Sequence, residues 1–293
     1  MNTNTRLYWL HALTPLHVGA GRGVGYIDLP VMREKVTNWP LVPGSAVKGV
    51  LRDYHEIKKS TLLDAAFGKG GDEHSNSGSL VFTDGRIVCL PVRSFYGTFA
   101  WCASSLALQR LARDLKAADA LPQAADVPEV QEGQCLPGSD TSKLRDAGGK
   151  VFLEDLDFTT QSSREAKAWA NWLAEQVFAG DANWKNAFLE RFVMLPDNVF
   201  NFLCDTGTEV AARVRIEDDK KTVANGALWY EEALPAETIL GGLVWCDRVF
   251  GGNGTKPAEL LDACCGTSLD LQIGGKSTVG HGRVRCIFTN GGK

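Results

Sequence analysis

"RLYWLHALTPLHVGAGRGVGYIDLP" (residues 6–30) begins with an aromatic and aliphatic run and then turns glycine-rich. Residues 6–13 carry the side chains of an opening strand, and Pro15 with the glycines after it ends regular pairing. A loop over about 14–30 follows. Gly19, Gly21, Gly23 and Gly25 stand at every second position, and no register of them satisfies G-x-G-x-x-G, so this is not a dinucleotide fingerprint. Asp28 is the first acidic residue of the chain. A carboxylate there is either a solvated turn residue or a group that holds a divalent ion against phosphate oxygens or orients an attacking hydroxyl. His17, on the strand side of the same loop, is either a polar residue at a strand end or a group that positions a phosphate or a 2′-hydroxyl.

The chain has 293 residues, 44% of them hydrophobic, and a formal net charge of −4. This suffices for one large domain or one domain with long insertions. The acidic balance argues against a protein that coats nucleic acid through bulk cationic charge. Charge is unevenly placed, however. No acid occurs in residues 1–27, which hold Arg6 and Arg22, and none follows Gln272, where Lys276, Arg283, Arg285 and Lys293 lie. Ten acids against four bases between Asp114 and Asp157 carry much of the opposite sign. Eight scattered cysteines without a C-x-x-C pair fit reduced thiols better than a zinc site or a disulfide framework. No apolar run is long enough for a signal peptide or a membrane span, so a cytoplasmic protein with no membrane partner is expected.

"PLVPGSAVKGVLRDYHEIKK" (40–59) predicts a helix with Ser45 as N-cap. Lys48 and Arg52, four apart on one face, are either solubilising charges or, with Ser45 and the helix N-terminus, phosphate contacts. "TFAWCASSLALQRLARDL" (98–115) reads as an amphipathic helix, 117–150 as an acidic insertion, 164–178 as a helix and 195–205 as a short one. "RVRIEDDKKTVANGALWYEEAL" (213–234) predicts a long β-hairpin with a charged tip. It places Arg213 and Arg215 on one face of the first arm and Trp229 and Tyr230 on the returning arm, as base contacts or as core. Glu231 and Glu232 are either ion-pair partners of those arginines or outer members of a metal site. "LQIGGKSTVGHGRVR" (271–285) is not a P-loop, because Asp270 occupies the place of its first glycine. Gly274, Gly275, Lys276 and His281 then form an ordinary turn or a loop whose N–H groups approach an anionic backbone.

Four ordered blocks, residues 14–52, 91–102, 213–238 and 271–285, resemble the RAMP superfamily, and within it the backbone subunit of type III-B (Cmr) CRISPR effector complexes. The resemblance implies an α+β fold: a modified ferredoxin-like (RRM-type) palm with helical insertions and an extended β-hairpin thumb over 205–235, as one domain over 1–293. It implies copies of the chain polymerised along a CRISPR guide RNA beside other Cmr-type subunits, with each thumb interrupting the guide–target duplex. The aspartate matching Asp28 would cut complementary target RNA at regular intervals with Mg²⁺ or Mn²⁺, beside His17 and with Glu232 in support. Ser45, Lys48, Arg52, Arg213, Arg215, Gly274, Gly275, Lys276 and His281 would touch RNA, and Trp229 and Tyr230 would meet bases. Attack of the ribose 2′-hydroxyl would leave a 2′,3′-cyclic phosphate. Two other functions stay open: a scaffold that binds guide RNA without cutting, and a stand-alone endoribonuclease that processes precursor guide RNA.

Overall fold

A computed structural model of the chain describes residues 4–21, 23, 25–69, 76–118, 126–217, 219, 223–251, 254–266 and 268–289. Arg22, residues 119–125 of the acidic segment and positions 218 and 220–222 of the hairpin tip lie outside them. In chain order the elements are β1 (Thr5–Ala12), β2 (Leu41–Val42), α1 (Gly44–Ile57), α2 (Leu63–Phe67), β3 (Gly68–Lys69), β4 (Asn76–Ser77), β5 (Val81–Phe82) and β6 (Gly85–Arg93). There follow β7 (Phe99–Ser104), α3 (Ser105–Ala117), β8 (Gln134–Pro137), β9 (Lys150–Leu153), β10 (Leu156–Thr160), α4 (Arg164–Val177), α5 (Ala182–Arg191) and β11 (Phe192–Leu195). The chain continues with α6 (Asp197–Thr206), β12 (Glu209–Ile216), β13 (Val223–Ala233), β14 (Ile239–Trp245), α7 (Pro257–Cys265), β15 (Leu269–Gln272) and β16 (Arg283–Thr289).

One large sheet runs β15-β16-β1-β14-β6-β7-β11-β8-β10-β9, with β2 beside β6 and β5 beside β14. β1 is covered on both faces, which is why residues 7–10 are apolar without alternation. Tyr8 and Leu10 pack towards α1, α2 and α7, whereas Leu7 and Trp9 pack towards α3, α4 and α5. Gly242 and Gly241 of β14 stand opposite Tyr8 and Trp9. A Cβ on Gly242 would come within 2.5 Å of the Tyr8 ring and one on Gly241 within 3.1 Å of Trp9. The far half of the sheet curls back until Ser94 bridges Leu153. That curl encloses a third core with Leu90, Cys102, Val151 and Phe200.

Three sequence expectations change. Residues 98–115 divide into β7 and α3, because Ala100 and Cys102 face one core while Trp101 and Ala103 face another; Ser104 caps the helix by accepting from Ala107 N–H at 3.3 Å. The acidic segment 117–150 is not wholly an insertion, since β8 joins the sheet between β11 and β10 and buries Cys135 and Leu136. The N-cap of α1 is Pro43, not Ser45, which is exposed. The helix starts two residues earlier because Gly44 N–H donates to Asp84 at 2.9 Å and only glycine fits there, a Cβ falling 2.5 Å from the Phe82 carbonyl oxygen. The expected hairpin is present as β12–β13, a two-stranded sheet outside the large one.

Candidate nucleic-acid interface at the foot of the hairpin

β13 pairs with β12 along one edge, and the polar groups of its other edge need partners. The glycine-rich loop supplies them. Leu16 and Leu234 exchange hydrogen bonds at 2.8 and 2.9 Å, Leu29 N–H donates to the Tyr230 carbonyl at 3.1 Å, and Glu232 N–H donates to the Leu29 carbonyl at 3.0 Å. Two side chains complete the edge. The Asp28 carboxylate accepts from Tyr230 N–H at 2.8 Å, and His17 Nδ1 lies 2.6 Å from the Glu232 carbonyl oxygen. Tyr230 and Glu232 are two residues apart on one strand, so these anchor points are about 7 Å apart. Asp28 and His17 are thereby placed on the same edge of the same strand.

Their environments differ. Asp28 is exposed, with one oxygen tied to the backbone. His17 is 7% exposed. A carbonyl only accepts, so Nδ1 carries the proton and donates, which in the neutral ring leaves Nε2 as an acceptor. A Cβ on Gly19 would lie 2.9 Å from that Nε2. The His17 carbonyl oxygen accepts from Gly275 N–H at 2.9 Å. Gly274 has φ +80°, and a Cβ there would meet the His17 carbonyl oxygen at 2.2 Å. His17 therefore clamps two glycine-rich loops together, and both need glycine at the contact.

Glu232 is 2% exposed and its oxygens are committed. Oε2 accepts from Val31 N–H at 2.9 Å; Oε1 accepts from Arg33 at 2.5 Å and from the Thr208 hydroxyl at 2.8 Å. Arg33 also donates to the Cys204 and Asn38 carbonyls at 3.0 and 2.8 Å. The expectation that Glu232 supports a metal ion is accordingly replaced by a structural role, pinning the loop after Asp28. Among the described residues no group of three or more His, Cys, Asp or Glu side chains is placed to hold an ion. Arg33 was missed at the sequence level; its signal was its place in the "VMREK" block directly after Asp28.

On the face of the hairpin that carries Arg213, Glu231 binds Lys276 at 2.5 Å, Arg213 at 3.4 Å and the Trp229 indole N–H at 2.6 Å. Burial opposes ionisation of Glu231, but the hydrogen bonds from Lys276 and Trp229 and the charges of Lys276 and Arg213 outweigh it and hold the carboxyl below its ordinary range. His281 lies 3.4 Å from Arg213, and burial together with that cation pushes its imidazole below the usual histidine range. Arg215 is exposed further along β12. Trp229 and Tyr230 point to opposite faces of the hairpin, as successive strand residues must, so they cannot form one stacking surface. Tyr230 shares its face with the exposed Val214 and Leu228.

Lys48 and Arg52 are not brought to this site. They stand on α1, which packs on α2, β5 and β15. Lys48 Nζ donates to the Leu80 carbonyl at 2.8 Å, and its half-burial lowers its pKa. Arg52 Nε is buried without a hydrogen-bond partner among the described residues.

Comparison with known proteins finds relatives over nearly the whole chain. The chain is 31% identical to the CRISPR system Cmr endoribonuclease Cmr4 of Pyrococcus furiosus, over 98% of this chain and 97% of that one. The crystal structure of oligomeric Cmr4 from the same organism superposes with a TM-score of 0.76 at 26% identity, covering 98% of each chain. A chain in the cryo-EM structure of the type III-B Cmr-beta complex bound to cognate target RNA has the same fold, with a TM-score of 0.74 at 19% identity over 97% of this chain and 96% of that one. The RAMP superfamily model matches residues 9–285, from the middle of β1 into β16, and the chain belongs to the RAMP superfamily.

Proposed function

We propose that this chain is the backbone subunit of a type III-B CRISPR effector complex, an endoribonuclease that lies along guide RNA with further copies of itself and other Cmr-type subunits and cuts complementary target RNA at Asp28. One observation carries the reading. The edge of β13 fixes an exposed carboxylate, Asp28, at the foot of the hairpin, and the same strand carries Glu231 paired with Lys276 of the glycine-rich loop.

The Asp28 oxygen bound by Tyr230 N–H is immobilised, and the second oxygen is assigned to the target. There it orients the ribose 2′-hydroxyl for in-line attack on the adjacent phosphorus and accepts its proton. The 2′-oxygen bonds to phosphorus as the 5′-oxygen leaves and takes a proton from water, giving a 2′,3′-cyclic phosphate and a 5′-hydroxyl. We assign Lys276 and Arg213, each paired with Glu231, to the charge that develops on the phosphate. His17 acts as a positioning residue, holding the two loops in register. Asp28 would be the residue that holds Mg²⁺ or Mn²⁺, since a single exposed carboxylate suits an ion that is not caged by protein. Such an ion would neutralise charge on the non-bridging oxygens. Lys48, Arg52 and Ser45 on α1 offer a second polar surface, which we assign to the guide backbone. None of the described helices is long and apolar enough to cross a membrane.

The test is target cleavage by the reconstituted complex carrying Asp28→Ala, in Mg²⁺ and in EDTA. Expected is a loss of cutting by at least about 100-fold with target binding retained. Cutting that persists in the variant would remove Asp28 from the chemistry, and cutting that persists in EDTA would remove the ion.

A further inference from the structure

A cavity of about 310 Å³ opens at the end of β1, on the sheet face that carries α4 and α5. The clamp of loops at His17 and Gly274 does not use it. Its wall is Phe178 and Trp184, stacked within 12° of parallel at 6.0 Å, and Trp184 remains 40% exposed. Its polar floor is His11, 3% exposed, with Nε2 2.7 Å from Glu237 Oε2 and its ring edge-on to Phe178 at 5.2 Å. Because a carboxylate only accepts, Nε2 carries the proton; Nδ1 is buried without a hydrogen-bond partner among the described residues.

Glu237 is held in an unusual conformation, φ +73°, by both of its peptide groups. Its N–H donates to the Ala12 carbonyl at 2.7 Å, and its carbonyl accepts from the Trp101 indole at 2.9 Å. Left-handed backbone at a residue with a side chain costs free energy, and here it aims a carboxylate at a buried histidine in an open cavity. Arg285 stands at the rim, opposite His11 in the β1–β16 register, with its Nε 3.6 Å from Asp270. Arg283, two residues nearer the Gly274–Gly282 loop, points to the same sheet face. Two cations, Arg283 and Arg285, which share Asp270 at 4.0 and 3.6 Å, therefore lie between that loop and the mouth of the cavity.

We propose that this cavity is a nucleobase subsite for RNA that leaves the glycine-rich loop along Arg283 and Arg285. Trp184 stacks on the base, Glu237 accepts from its amino edge with His11 fixing the carboxylate, and Arg285 meets the phosphate. A carboxylate accepts from the amino groups of adenine and cytosine but faces flanking carbonyls on uracil, so the subsite favours amino-bearing bases. The inference rests on the RNA-binding reading above and extends it to a site remote from Asp28.

The experiment is fluorescence anisotropy of the full chain with labelled oligo-A, oligo-C and oligo-U of about eight nucleotides. Trp184→Leu should weaken oligo-A and oligo-C about tenfold and oligo-U little, and Trp184→Phe should retain most of the affinity. Glu237→Gln should reduce the preference for oligo-A over oligo-U. Arg285→Gln should lower the slope of log affinity against log salt by about one. Equal binding of all three RNAs by wild type and by Trp184→Leu overturns the subsite while leaving the RNA-binding reading intact. A wild-type chain that binds none of them overturns both. Free AMP that competes only at millimolar concentration supports an RNA subsite, whereas AMP binding as tight as oligo-A makes the cavity a nucleotide site instead.

Discussion

Asp28 and Glu232 are both acids within the matching blocks, yet their surroundings give them opposite roles. Asp28 is exposed with one oxygen anchored, whereas Glu232 is buried and saturated by Arg33, Thr208 and Val31. Breaking that pair from one side leaves a buried charge without its cation, so Arg33→Ala should cost about 3–5 kcal/mol in denaturant unfolding. Arg33→Ala combined with Glu232→Gln should recover part of it, and a strictly additive double variant would show that the two do not act as a pair. Glu34 gives the pH dependence. Hydrogen bonds from Arg110 at 2.5 and 2.7 Å, opposed by burial and helped by Thr37, lower its carboxyl from 4.5 to about 2. A depressed folded pKa means stabilisation that is complete above about pH 4.5 and is lost as the pH falls towards 2. The stability difference between wild type and Glu34→Gln should therefore be flat at neutral pH and shrink across that window.

The Gly274–Gly282 loop shows what an element demands of single positions. Gly280 has φ +88° and open space around it, so Gly280→Ala meets only the backbone penalty, about 1 kcal/mol. Gly274→Ala adds a clash with the His17 carbonyl to the same penalty and should cost about 2–4 kcal/mol, with a loss of RNA retention that Gly280→Ala does not share. Thermal melts of the two variants provide the comparison, and equal shifts would mean the clamp is not under load. The alternation that splits Trp229 from Tyr230 follows from strand geometry alone and was legible in the sequence. The division of residues 98–115 into strand and helix was not, since Ala and Leu density there fits a helix until β6 and β11 pair with the first half.

At the scale of the molecule, all eight cysteines are buried, spread over the sheet, the residue after β14, α6 and α7. Burial raises the Cys264 thiol to about 11 and Cys135 to about 12, and raises Cys89, Cys102 and Cys286 as well. Ellman's reagent should find almost no fast-reacting thiol in the native protein and all eight in guanidinium. A native thiol that reacts at once would show that one of these sheet or helix elements opens readily. The opening strand, the helix at 164–177, the projecting hairpin and the two glycine-rich loops follow from residue order, because hydrophobic period and turn chemistry are local properties. Which carboxylate stays free, which histidine is locked, where the acidic segment lends a strand and where Lys48 points were decided only by tertiary structure. Burial and hydrogen-bond saturation are relations between segments some 200 residues apart, such as Arg33 with Glu232 and Asp28 with Tyr230, and no local pattern encodes them.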